Sequence, residues 1–135
     1  MITGPSGVGK SELALALIDR GHQLISDDVT LIHKQKQQII GSAPDKLTGM
    51  MQIHGCGLFN VKELFGNESH MASMPLQLMI DIDPAIKYEK DPLEVVRSLS
   101  TILGIEIPKL IIPLPSPRNL PLIIELLVRR EITEK

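Results

Sequence analysis

The chain has 135 residues, of which 43% are hydrophobic, so it is long enough to bury one core and too short for two ordinary domains. Its formal net charge of -2 and its aromatic content of 2% argue against nucleic acid as a partner, because a basic surface and stacking side chains are both lacking. A single cysteine, no recognisable signal peptide and no apolar run near the roughly 20 residues that span a bilayer favour a cytoplasmic protein without membrane contact.

The first predicted feature is a phosphate-binding loop that opens a helix. It consists of Gly4, Pro5, Ser6, Gly7, Val8, Gly9, Lys10 and Ser11. Glycines let successive backbone N–H groups approach an anion, and the helix directs the positive end of its dipole at the same charge. Lys10 adds a positive charge for the β- and γ-phosphates, and Ser11 offers a hydroxyl to magnesium. Such a loop normally follows a full strand, yet only residues 1–3 precede it, so we expect the first strands of the domain to be missing.

A helix and three short strands are predicted next. Apolar residues recur at helical spacing in residues 13–18, and Gly21 can end that helix in the left-handed conformation. Apolar pieces at 22–25, 29–33 and 38–40 are typical of strands, the last two forming a hairpin.

An acidic pair, Asp27 and Asp28, follows the first of these strands. In an open α/β sheet this is where the carboxyl end of a strand beside the loop would lie. A carboxylate there could hold a metal through water or accept a proton from a nucleophile. The alternative is a turn in which aspartate bonds its own backbone.

The rest of the chain is predicted to form further strands and a closing helix. Residues 50–53 and 58–61 flank an exposed glycine turn, and the apolar run 76–82 is typical of a central strand covered on both faces. We expect a short helix within 93–103 and a strand at 105–114, before the proline-rich stretch 113–117. The closing helix carries an apolar stripe formed by Leu120, Ile123, Ile124, Leu127 and Val128.

Several segments together resemble the catalytic domain of HPr kinase/phosphorylase, the bacterial enzyme family that modifies a serine on the phosphocarrier protein HPr. They are residues 4–12, Arg20-Gly21-His22 with Asp27-Asp28, residues 51–61 and residues 113–119. Many families share the loop, whereas the I-x-G-x-G pattern within 51–61 and the P-x-x-x-x-R-N pattern of 113–119, in this order, are more specific. The resemblance covers nearly the whole chain, is strongest to the short alphaproteobacterial form, and marks 1–135 as one catalytic domain.

The resemblance implies an α/β, phosphoenolpyruvate-carboxykinase-like P-loop kinase fold, with a mixed central sheet flanked by helices. It implies an ATP- and Mg²⁺-dependent serine kinase that acts on HPr in phosphotransferase-system regulation and can run the reverse phosphorolysis with phosphate and pyrophosphate. Asp28, beside Asp27, would take the serine proton, while Lys10 and Ser11 hold the phosphates and magnesium. Arg118 would contact the protein substrate or a neighbouring subunit of a homo-oligomer, a hexamer in the family, although it could instead cap the last helix.

Departures from the family pattern lead to further expectations. Gln52 stands where relatives carry a glutamate ligand of magnesium, so we expect weaker metal binding at Ser11 and Gln52. His54 replaces an arginine, and Lys90 is the nearest candidate for a further catalytic arginine, without its planar fork. A catalytic histidine of the family lies ahead of the loop, outside this sequence.

Other interpretations of the chain stay open. One is a catalytically impaired nucleotide-binding relative that senses ATP or binds HPr, and another is a small-molecule kinase of a different P-loop family. Cys56 is expected to be a small packed thiol, and the four histidines show no zinc-ligand spacing. Five methionines are expected in the core, namely Met50, Met51, Met71, Met74 and Met79.

Overall fold

The computed structural model of the chain describes residues 1–84, 95–113 and 119–133. In chain order its strands and helices are β1 (Ile2–Thr3), α1 (Lys10–Asp19), β2 (Leu31–Gln35), β3 (Gln38–Ser42), β4 (Met50–Ile53), β5 (Gly57–Asn60), α2 (Val61–Phe65), β6 (Ser73–Pro75), β7 (Met79–Asp83), β8 (Val96–Ile102), β9 (Ile105–Pro113) and α3 (Leu120–Thr133). None of the helices in these ranges is long and apolar enough to cross a membrane.

The central sheet has the strand order β1-β7-β9-β8. Strands β1, β7 and β9 run parallel, and β8 pairs antiparallel with β9, so the sheet is mixed as expected. The apolar run predicted as a central strand forms β7, where Met79, Ile80 and Ile82 are all buried. These residues pack on both faces of the sheet, since Ile80 and Ile82 belong to one apolar cluster and Met79 to another.

Helices α1 and α3 cover one face of the central sheet. Leu13 of α1 and Ile124 of α3 join Ile80, Ile82 and Ile112 in one buried cluster. Both helices were predicted from their apolar spacing and are confirmed. The predicted end of α1 is also confirmed, because the chain turns there through a glycine of left-handed conformation, Gly21, with φ of 99°.

Two smaller sheets pack around this layer. The predicted hairpin at β2 and β3 is confirmed, and β6 joins it as a third strand. Strands β4 and β5 form a second hairpin, which packs Met51 and Ile53 against Ile18 of α1. Helix α1 is therefore held between the central sheet on one side and the β4–β5 hairpin on the other.

Two predicted elements are wrong. Residues 22–25 form no strand and make a single bridge, Leu24 to His70, because the strand beside β1 is β7 and leaves these residues outside the central sheet. The helix expected within 93–103 is strand β8, since antiparallel pairing of Val96–Ile102 with β9 satisfies its backbone groups. Residues 93 and 94 of that prediction, and 114–117 of the proline-rich stretch, lie outside the described residues.

Two predictions of buried sulfur side chains are also wrong. Cys56 is exposed, because it lies at the tip of the β4–β5 hairpin, away from any apolar cluster of the described residues. Met74 is exposed on β6, whereas Met51 and Met79 are buried as predicted. Met50 and Met71 are half-buried.

Candidate active site

The phosphate loop joins β1 to α1 and is shaped by two glycines of positive φ. Gly7 has φ of 79° and Gly9 has φ of 100°, values that L side chains rarely adopt. Gly9 is the N-cap of α1 and makes no side-chain cap. The first N–H groups of α1 therefore have no side-chain acceptor from Gly9, which suits them to an anionic ligand.

The loop is packed against the central sheet and its core at its start and in its middle. A Cβ atom on Gly4 would lie 2.9 Å from the backbone oxygen of Ile82 on β7, so the loop starts in direct contact with that strand. Val8, in the middle of the loop, packs against the cluster beneath α1. These contacts with the sheet and the core hold the loop in its position ahead of α1.

Lys10 lies across the opening of the loop. Its Nζ donates to the backbone oxygens of Gly4 at 2.6 Å and of Pro5 at 3.1 Å. The ammonium group is only half-buried, so a phosphate can exchange with these carbonyl oxygens as its partner.

Asp27 links the start of α1 to the β4–β5 hairpin. Its Oδ1 accepts from the Ser11 hydroxyl at 2.8 Å, and its Oδ2 accepts from the backbone N–H of Gln52 at 3.1 Å. The structure thus brings together three residues that the sequence predicted for the metal and acid–base site, although Asp27 does not follow a strand as expected.

Asp28 is exposed beside this cluster. Together with Gly4, Lys10 and Asp27 it lines one end of a cavity of about 860 Å³. The cavity continues away from the loop between apolar side chains of α1, α3 and the β2–β3 hairpin. Asp28 is therefore accessible to a group that approaches the loop from this opening.

The segment that carries the acidic pair is fastened by backbone hydrogen bonds. Leu24 donates to Ser69 at 2.8 Å and accepts from Met71 at 2.9 Å. Between these partners, His70 has a buried Nε2 atom without a hydrogen bond. Burial, with a smaller contribution from the positive charge of Lys62, holds the pKa of His70 below its usual value.

One residue beneath the loop was missed in the sequence. Asp81 on β7 accepts a 2.7 Å hydrogen bond from the Thr3 hydroxyl. The two residues face each other across β1 and β7, and Thr3 directly precedes Gly4. Asp83 follows at the end of the same strand. The sequence signal was available, because Asp81 interrupts the apolar run 76–82 predicted for the central sheet and Asp83 directly follows it.

Two predicted site residues, Arg118 and Lys90, lie outside the described residues. Asn119, which follows Arg118 in the sequence, caps α3: its side-chain oxygen accepts from the Leu122 N–H at 3.4 Å.

The oxygen atoms of this site suit a hard cation. Magnesium prefers oxygen ligands and usually takes only one or two carboxylates from the protein. Ser11 and Asp27 supply a hydroxyl and a carboxylate within hydrogen-bond distance of each other. Gln52, whose backbone N–H donates to Asp27, is exposed and carries a further amide oxygen. No group of three or more His, Cys, Asp or Glu side chains in the described ranges could form an all-protein metal cage.

Comparison with known proteins matches the whole chain to one protein family. The family model described as "HPr Serine kinase C-terminal domain" matches residues 1–135. An HPr kinase/phosphorylase of Geobacillus thermodenitrificans is 41% identical over 129 residues, which are 93% of this chain and 41% of that protein. One of Nitrosomonas europaea is 36% identical over 140 residues, covering 99% of this chain and 43% of that protein. The chain thus spans about two fifths of the length of these relatives.

A solved structure gives the same result for the fold. The HPr(Ser) kinase/phosphatase from Coxiella burnetii superposes with a TM-score of 0.91 and 41% sequence identity. The match covers 98% of this chain and 82% of that chain. It confirms the predicted P-loop kinase fold.

Proposed function

We propose that this chain, which belongs to the HPr serine kinase C-terminal domain family, is the catalytic domain of an ATP- and Mg²⁺-dependent kinase that phosphorylates a serine of an HPr-type phosphocarrier protein. The observation that carries the proposal is the contact of Asp27 with Ser11 at the start of α1, beside the phosphate loop. The relatives named HPr kinase/phosphorylase support the choice of substrate and a reverse phosphorolysis.

Each residue of the loop has a proposed task. The N–H groups of residues 4–11 and the α1 dipole bind the β- and γ-phosphates, and Lys10 leaves the Gly4 and Pro5 oxygens to pair with them. Asp28, exposed at the opening, accepts the serine proton as the serine oxygen bonds to the γ-phosphorus and the bond to the departing ADP oxygen breaks. In the reverse direction Asp28 returns that proton.

The metal would be held by Ser11, by Asp27 directly or through water, and by Gln52. When bound, magnesium neutralises the charge that develops on the phosphate oxygens. Asp27 orients the Ser11 hydroxyl and keeps the β4–β5 hairpin against it. Because Gln52 is neutral, this site should bind the cation more weakly than one with a second carboxylate.

The remaining features are proposed from the family. Arg118 and Lys90 would contact the protein substrate and the transferred phosphate, and the protein would act in the cytoplasm as a homo-oligomer, a hexamer, without nucleic acid. The reverse reaction would take inorganic phosphate and release pyrophosphate.

Transfer of labelled γ-phosphate from ATP to purified HPr, with magnesium, tests the proposal. We expect label on wild-type HPr and none on HPr whose target serine is alanine. Lys10→Ala should abolish transfer, and Asp28→Asn should abolish it while nucleotide still binds. Asp45→Asn, which removes an exposed carboxylate from a 3₁₀ turn, is the matched control and should leave transfer intact. Normal transfer by Asp28→Asn would disprove the assigned proton acceptor.

A second candidate is a regulator that binds nucleotide or HPr without transfer, and the neutral Gln52 at the metal site favours it. This hypothesis predicts that the wild-type protein binds nucleotide and transfers no label to HPr.

A further inference from the structure

An ion pair joins the end of the phosphate-loop helix to α3. Arg20, directly after α1, donates from Nε and Nη2 to the two carboxylate oxygens of Glu125, and His22 lies 3.3 Å from the same carboxylate. The Arg20 side chain is 40% exposed and that of Glu125 is 13% exposed. Two parallel bonds from a planar guanidinium fix both distance and orientation, unlike a single ionic contact.

The opposite end of α1 faces the site. Lys10 and Ser11 form its first turn, and the helix has ten residues, a length of about 15 Å. At that end, Ser11 donates to Asp27 and Lys10 donates to the Gly4 and Pro5 oxygens. Along the rest of its length α1 is held laterally by apolar contacts, through Leu13 to α3 and the sheet and through Ile18 to the β4–β5 hairpin. Apolar contacts are not directional, so they resist separation more than they resist sliding or rotation of the helix.

From this geometry we propose that Arg20 and Glu125 are positioning residues, which fix the axial position and rotation of α1 and thereby place Lys10 and Ser11 for the phosphates. The proposal rests on the proposed nucleotide binding of the loop. A displacement of about 1 Å at a phosphate site is enough to weaken several hydrogen bonds together. We therefore expect Glu125→Gln, which keeps the side-chain size and removes the charge, to weaken Mg–ADP binding about 3- to 10-fold.

A second ion pair on α3 provides a matched control. Arg97 of β8 pairs with Glu131, and the two side chains are 45% and 14% exposed, close to the values of the first pair. This pair joins α3 to β8 at the edge of the central sheet, whereas the first pair joins α3 to the end of α1. Glu131→Gln should therefore lose a comparable surface interaction without moving the phosphate loop.

The test is a calorimetric titration of Mg–ADP into the wild type, Glu125→Gln, Glu131→Gln and Arg20→Lys, with the melting temperature of each protein measured alongside. Glu125→Gln and Arg20→Lys should bind 3- to 10-fold more weakly, and Glu131→Gln should bind within about twofold of the wild type. Glu125→Gln and Glu131→Gln should lower the melting temperature by similar amounts, because the two ion pairs are similarly exposed. Arg20→Lys keeps the positive charge but loses the two parallel hydrogen bonds to Glu125. Weaker Mg–ADP binding by this variant would therefore show that the geometry of the pair matters, and not only its charge.

Two results would overturn this inference without affecting the proposed function. One is wild-type affinity for Mg–ADP in Glu125→Gln and Arg20→Lys, and the other is an equal loss of Mg–ADP affinity in Glu131→Gln. A wild-type protein that binds no Mg–ADP would overturn the proposed function as well.

Discussion

Replacing Gly4 with alanine tests how closely the phosphate loop must approach the central sheet. The new Cβ would lie 2.9 Å from the backbone oxygen of Ile82 and 3.1 Å from Cγ1 of Val8. The first contact involves backbone, so no side-chain rotation relieves it, and either the loop or β7 must shift. Ile82 is 2% exposed within the main cluster, and a close-packed interior resists such a shift.

We expect Gly4→Ala to lower the free energy of unfolding by about 1–3 kcal/mol, the usual cost of overpacking. The melting temperature should fall by about 4 °C for each kcal/mol. Mg–ADP binding should weaken too, because Lys10 donates to the Gly4 oxygen and would move with it. Urea unfolding and calorimetric titration measure the two effects.

Two further variants separate the possible causes. Gly7→Ala places its Cβ in open space, with nothing within 4 Å, but at φ of 79°, so it should show only the backbone cost of about 1–2 kcal/mol. Repeating Gly4→Ala in a Val8→Ala background removes the side-chain contact and leaves the Ile82 oxygen. Undiminished destabilisation there is the expected result. A Gly4→Ala protein with wild-type stability would refute the close approach.

Three other changes test separate parts of the site and its surroundings. Gln52→Glu should lower the magnesium concentration needed for half-maximal transfer, because a carboxylate is a better ligand; unchanged magnesium dependence would show that position 52 does not face the metal. Burial of His70 depresses its pKa, so its contribution to stability is complete above its unfolded value near 6.5 and is lost as the pH falls; urea unfolding between pH 7.5 and 5 should show this loss, and His70→Asn should remove it. The hydrogen bond from Arg20 lowers the pKa of Glu125 from 4.5 to about 2, so the stability difference between wild type and Glu125→Gln should persist at pH 6 and shrink as the pH falls from 4.5 towards 2; a difference that does not change over that range would contradict the ion pair.

Local patterns predicted much of this molecule, because local interactions decide those parts. The phosphate loop and α1 follow from glycine conformations and helical spacing, and Gly21 ends the helix as its backbone freedom allows. The run that became β7 was recognised because a strand buried on both faces needs apolar side chains throughout.

Long-range pairing decided the parts that the sequence did not predict. Residues 22–25 were expected beside β1, but β7 (Met79–Asp83), far along the chain, takes that place. Residues 96–102 fit a helix or a strand by composition, and only the register with β9 selects the strand. The ion pair of Arg20 with Glu125, which are 105 residues apart, likewise could not be predicted from local sequence. It forms only because α1 and α3 pack on the same face of the central sheet.

The proposed function depends on the binding of a polyphosphate by the backbone N–H groups of the N-terminal loop and by Lys10. Calorimetric titration of pyrophosphate with magnesium into the wild type and Lys10→Ala tests it most directly. We predict measurable binding by the wild type and a loss of about 10- to 100-fold in the variant, as expected for removing charge-assisted hydrogen bonds. Absence of binding heat in the wild type, or equal affinity of the two proteins, would contradict the claim.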